Sequence, residues 1–218
     1  MATNSSAIAP QAGVAESHGQ ARRGISNPIL GMILFIASEV MFFAGLFAAY
    51  FNVRMQSATW PPLVNEKAYD KFYLGHDMIA VVIMTLVLVL SSVTMQMAVH
   101  GIRRGDRTAF IRNMAVTLVL GIVFVIGQIG DYLQLGFGIT DTAFGSTFYT
   151  LTGFHMAHVV GGAIMITVVL YRGMAGQFSP RHHDMVEATS LYWHFVDVVW
   201  ILLFATLYLL PVSALAAQ

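Results

Sequence analysis

No cysteine occurs among the 218 residues, and only 10% of them are charged. The first absence removes disulfides, thiolate metal sites, iron–sulfur clusters, c-type haem attachment and cysteine nucleophiles together. The second excludes an ordinary water-soluble globule, which carries about 25% charged residues. Eleven basic residues balance eleven acidic ones, so no excess of charge points to nucleic acid or a polyanionic substrate. A phosphate-binding glycine loop, a nucleophile–base pair and a zincin-like HExxH are missing too. What the chain has in abundance is apolar surface, at 57% hydrophobic residues. It reads as a polytopic membrane protein.

Residues 1–27 are rich in Ala, Ser, Gln and Gly and carry no periodicity, a composition that cannot build a core. They lack a short apolar stretch with a small-residue cleavage site, so a flexible tail is expected rather than a secretory signal. The segment is acid-poor, but its basic content is low for a mitochondrial transit peptide. Five apolar stretches follow, at about 28–53, 75–99, 111–135, 144–171 and 187–212. Each is long enough to cross a hydrocarbon core of ~30 Å at ~1.5 Å per residue. Only helices or closed barrels satisfy their backbone in lipid, and strictly alternating runs are missing. The expected fold is all-α, one five-helix transmembrane domain over 28–218.

Charge asymmetry sets the expected orientation. Arg22, Arg23, Arg103, Arg104, Arg107, Arg112, Arg172 and Arg181 would share one side of the membrane. Arg54, Lys67 and Lys71 would lie on the other. Eight against three places the N-terminus in the cytoplasm and, after five spans, the C-terminus on the outer side.

Against this background a few polar residues stand out. Glu39 lies about ten residues into the first span, hence roughly 15 Å deep. His155 and His158 are one turn apart in the fourth span, and His194 and Asp197 one turn apart in the fifth. Ionisable groups at such depth cost a few kcal/mol or more, so they face the bundle interior and often mark function. His155 and His158, placed on one face by their spacing, read either as metal or haem ligands or as interhelical hydrogen-bonding groups. Thr152, Gly161 and Gly162 nearby favour the second, because small residues mark close helix packing. His194 with Asp197 reads as a proton relay or as a buried pair that fixes helix orientation, with the second preferred. His182 and His183, beside Pro180, read as a solvated interfacial pair. Gln128, Asp131 and Tyr132 read as a packing cluster near the outer end of the third span. Residues alone assemble no catalytic centre and no metal site, and the polar clusters look short of mutual partners within five helices. That shortage points to a face buried against another subunit.

GMILFIASEVMFFAGLFAAYF at 31–51, GSTFYTLTGFHMAHVVGG at 145–162 and LYWHFVDVVWILLF at 191–204 resemble subunit III of the haem–copper cytochrome oxidases. WPP at 60–62, RRGDR at 103–107 and the histidine pair at 182–183 fall where that family has similar residues. The resemblance extends from about residue 28 onward. It is to the short, five-helix bacterial form, since the long form has two further helices that make a V-shaped lipid-holding cleft with the remaining five. Whether another chain supplies the second wall of such a cleft stays open.

The resemblance implies a subunit without haem or copper, in a bacterial cell membrane. Its partners would be subunits I and II, which reduce O2 with electrons from cytochrome c or quinol and pump protons. Subunit III would stabilise subunit I, hold phospholipid and support sustained proton uptake, within a respiratory supercomplex in some organisms. SEV at 38–40 is more similar to the cytochrome c branch than to the quinol oxidases. Alternatives are a quinol-oxidase subunit III, a nitric oxide reductase accessory protein, or a stand-alone proton channel or transporter through Glu39, His158 and Asp197. Arg172 aligns with a family arginine that contacts a lipid phosphate, although an ordinary positively charged flank would look the same. Glu39 matches the family's carbodiimide-reactive intramembrane glutamate. Without a Lys or Arg partner it is expected to donate a hydrogen bond, with His158 as acceptor, in a structural rather than a proton-conducting role.

Overall fold

Each apolar run forms one long helix in the computed structural model, which describes residues 26–57, 60 and 76–210. The helices are α1 (Asn27–Gln56), α2 (His76–Arg103), α3 (Arg107–Gln134), α4 (Ala143–Met174) and α5 (Asp184–Phe204). A π-helical turn, Ala205–Leu209, continues α5 without a break. All five are long and apolar enough to cross a membrane. The tail expected over 1–27 lies, save for its last two residues, outside the described residues, as do Lys67 and Lys71.

Local chemistry explains where the helices start and stop. Pro28 opens α1, where its missing N–H costs nothing. Asp106 caps α3 by accepting from the Ala109 N–H at 2.9 Å, and Thr142 caps α4 by accepting from Gly145 N–H at 3.0 Å. Asp184 and Glu187 place negative charge at the positive end of α5. Gly105, at φ 77°, allows the tight reversal between α2 and α3, and Gly176, at φ 76°, lies just past the end of α4.

Helix α5 is the hub, packing against α1, α2 and α4, while α3 closes the bundle between α2 and α4. Lipid supplies no hydrophobic drive for helices to associate, so close packing and hydrogen bonds must do it. Trp193 of α5 supplies both. Its indole Nε1 donates to Ser91 Oγ on α2 at 2.9 Å. Its ring fills space left by Gly121 on α3 and Gly162 on α4, where an added Cβ would stand 2.6 and 2.8 Å from the indole. Two turns further on, Trp200 donates to Thr85 Oγ1 on α2 at 3.0 Å and meets Phe124 of α3 edge-on, centroids 4.8 Å apart. Two tryptophans therefore stitch four helices together. The glycines at 161 and 162 are packing positions, as their size suggested.

The end of the bundle bearing Arg103 and Arg107 is one surface. Arg103 bridges to Glu187 at the start of α5, with Nη2 at 2.7 Å, and Arg107 donates to the carbonyl of Met174 at the end of α4. Helix α1 is held more loosely, with only Phe43 and Tyr50 of its residues buried.

The interlock yields a prediction. Gly162→Ala should destabilise the solubilised protein by about 1–3 kcal/mol, because the rigid indole has nowhere to move. Gly153→Ala on the same helix meets nothing within 4 Å and should be neutral or stabilising. Thermal melts of the two variants in one detergent check the contrast.

Candidate functional site

The polar residues of the membrane segments resolve into separate pairs, each joining two helices. Glu39 of α1 and His158 of α4 meet, with Oε2 2.9 Å from Nε2. His158 Nδ1 lies 2.7 Å from the carbonyl of Phe154, which can only accept, so Nδ1 carries a proton. Nε2 therefore presents a lone pair to a protonated carboxyl, or holds the transferred proton beside a carboxylate. Either way one proton lies between the two groups and the pair is neutral overall. That is the arrangement a lipid-facing position demands. Phe43 lies edge-on to the imidazole at 5.1 Å, and Phe42 packs against Phe154 at 5.0 Å, forming an aromatic collar. Both side chains keep slight exposure, 19% for Glu39 and 16% for His158. The pair sits at a lipid- or partner-facing seam, not in the bundle centre.

His155 departs from the expected interhelical hydrogen bonding. It is fully buried, and neither ring nitrogen has a hydrogen-bond partner among the described residues. Instead the imidazole stacks on Trp200, centroids 5.1 Å apart at 27°, and meets Phe124 edge-on at 5.9 Å. A three-residue step on a helix turns by about 300°, enough to send one histidine inward and the next toward α1. The two do not act as a unit.

His194 and Asp197 are brought together by a residue the sequence did not flag. Ser92 of α2 donates to Asp197 Oδ2 and lies 3.0 Å from His194 Nδ1. The side-chain amide of Gln96, one turn along α2, stands 3.4 Å from His194 Nε2. The result is a polar line, Asp197–Ser92–His194–Gln96, along the α2–α5 seam. Tyr132 donates to Thr152 Oγ1 at 2.7 Å across α3 and α4, and Gln128 donates to Asp131 at 3.3 Å. Each of these clusters finds a partner inside the five helices, while among the described residues Gln128 Oε1, Asp197 Oδ1 and both His155 nitrogens are buried without one.

Outside the membrane segments the histidine pair divides. His182 is exposed, while His183 is half-buried with Nε2 2.9 Å from Glu187. Arg172 at the end of α4 donates from Nε to Gln177 at 2.8 Å and from Nη1 to the sulfur of Met185 at 2.8 Å. Its guanidinium also lies 5.4 Å over the ring of Phe178. These contacts hold it near the arginine-rich end of the bundle.

Five long apolar helices with their ionisable groups paired across helix seams define a multi-pass helical membrane protein. The family model described as cytochrome c oxidase subunit III matches residues 8–212. A probable cytochrome c oxidase subunit 3 of Mycobacterium leprae is 42% identical over 183 residues, 82% of this chain and 86% of that one. Its counterpart in Nocardia farcinica is 43% identical with the same coverage. The cytochrome c oxidase subunit 3 of Anopheles gambiae is 39% identical over 183 residues, 82% of this chain but 67% of its own. The chain belongs to the cytochrome c oxidase subunit III family.

Ser92 offers a test of the α2–α5 line. Ser92→Ala removes the hydroxyl between Asp197 and His194 and leaves a buried carboxyl short of a partner. A loss of about 1–3 kcal/mol is expected in thermal melts. Ser92→Thr, which keeps the hydroxyl, should retain most of the stability.

Proposed function

We propose that this chain is the non-redox subunit III of a proton-pumping haem–copper terminal oxidase that draws electrons from cytochrome c. The family match over residues 8–212 carries this reading. In it the chain sits in a bacterial cell membrane with its N-terminus in the cytoplasm. Arg103, Arg104, Arg107, Arg112 and Arg172 gather at the cytoplasmic end, as the positive-inside rule requires. Haem and copper reside in subunits I and II, and this chain stabilises subunit I. The loosely packed outer face of α1, with Leu34 at 64% and Met41 at 74% exposure, is apolar surface for lipid or a partner helix. In this reading Arg172, held by Gln177 and Phe178, contacts a lipid phosphate.

The Glu39–His158 pair takes a structural role in this scheme. It pins α1 to α4 and leaves no net charge on the pair beside lipid, while the proton channels lie in subunit I. Sustained proton uptake is supported indirectly, through the shape and lipid content of the complex.

Purification through a tag on this chain in mild detergent tests the assignment. Haem absorption bands and two larger subunits are expected to co-elute; a colourless monomer with its own proton conductance would overturn it. Glu39→Gln should leave pumping largely intact while abolishing carbodiimide labelling at that position. Loss of pumping in an assembled Glu39→Gln complex would instead make the pair part of a proton path.

A further inference from the structure

We infer that the cleft beside the α2–α3 turn is a binding site for an anionic phospholipid headgroup, held by Arg104, Arg112 and Asn113. The cavity measures about 400 Å³ and lies at the arginine-rich end of the bundle. The inference rests on, and deepens, the lipid-holding part of the function proposed above. It is distinct from Arg172, which belongs to the other hairpin.

Apart from Arg181, which is exposed in the α4–α5 loop and does not line the cavity, the described arginines at this end fall into two groups. Arg103 is bound to Glu187, Arg107 to the carbonyl of Met174, and Arg172 to Gln177 and Met185. Arg104 and Arg112 are exposed, make no hydrogen bond or ion pair with any described residue, and both line this one cavity. They reach it from different elements, Arg104 from the α2–α3 turn and Arg112 from the second turn of α3. Two planar donors converging from two sides suit a phosphate diester, which each can bind through paired N–H groups.

Asn113 is an independent observation pointing the same way. It lines the same cavity at 7% exposure, yet its side-chain amide has no hydrogen-bond partner among the described residues. Its amide atoms are not sealed from the cavity, so a headgroup oxygen there can accept from its NH2. The remaining charged lining residue, Asp106, has its carboxylate engaged in capping α3. Two permanent positive charges therefore face one negative charge that is already in use.

The cavity also has an apolar side. Val93 and Met97 line it and are 53% and 48% exposed. Val93 lies two turns before His100, about 10 Å further toward the middle of the membrane. A ligand with a phosphate at the interface and an acyl chain running down α2 would cover both. Free phosphate would leave them bare. Anionic phospholipid is the chemistry that uses all of the lining.

Native mass spectrometry of the protein as purified, with its partner subunits, tests the site. The complex is titrated with short-chain phosphatidylglycerol, with phosphatidylcholine of the same chains, and with inorganic phosphate. Phosphatidylglycerol should bind in preference to phosphatidylcholine. Arg104→Gln with Arg112→Gln should remove one phosphatidylglycerol per chain or weaken it roughly tenfold or more. Asn113→Asp, nearly unchanged in shape, should do the same by repulsion. Haem content and subunit composition should not change, so a failed site and a failed oxidase assignment read differently. Equal binding of both lipids, or unaltered phosphatidylglycerol binding by the double variant, overturns the inference. So does competition by inorganic phosphate at the concentration of the lipid, which marks a free-anion site. Loss of partner subunits with lipid content unchanged overturns it as well, because the arginines would then face an acidic protein surface.

Discussion

Everything in this bundle hangs on the indole of Trp193. Helices surrounded by hydrocarbon gain nothing by hiding apolar side chains from apolar lipid, so specific contact must hold them together. A large flat ring set against two glycines supplies dispersion contact to both α3 and α4, and its single N–H goes to Ser91. The same ring therefore sets the distances of α2, α3 and α4 from α5. Trp200 repeats the arrangement at another depth, with Thr85 in place of Ser91 and His155 stacked on the ring in place of a glycine. Once these spacings are fixed, Ser92 meets Asp197 and His194 without further adjustment.

The ionisable groups obey a second constraint, that no net charge should remain in the membrane. Glu39 and His158 share one proton, and Asp197 is joined to His194 through a hydroxyl. Each arrangement lies on a seam between two helices, where it adds direction to contacts that packing alone leaves free to slide. Cations are confined to the ends, where Arg103 and Arg107 tie the two hairpins into one surface.

Much of this was legible in the sequence, for identifiable reasons. Span number and position follow from hydrocarbon thickness, and the helices depart from the expected limits by only a few residues at most ends. Glu39 stood out because a carboxyl in an apolar run is expensive, and His158 was a natural acceptor. The hydroxyl partners on α2 could not be found that way. Ser91, Ser92 and Thr85 are cheap in a membrane helix, so nothing in the sequence distinguishes the serine that bridges two ionisable groups from one that bonds its own backbone. The split between His155 and His158 was equally hidden. Both orientations of a one-turn pair fit the spacing, and only the position of Trp200 decides which imidazole becomes core. Backbone-directed contacts such as Arg107 to the Met174 carbonyl leave no mark on residue identity at the acceptor.

The sparse attachment of α1 has a consequence for how the protein is made. Among the described residues, its polar contacts with the other helices are Glu39 with His158 and Tyr50 with the carbonyl of Thr206, 119 and 156 residues later in the chain. At ~5–20 residues per second, synthesis of the first partner takes on the order of ten seconds. Throughout that interval α1 must reside in the bilayer with a carboxyl that has nothing to pair with. The imidazole arrives afterwards. These contacts of α1 can therefore form only after α4 and α5 have been made.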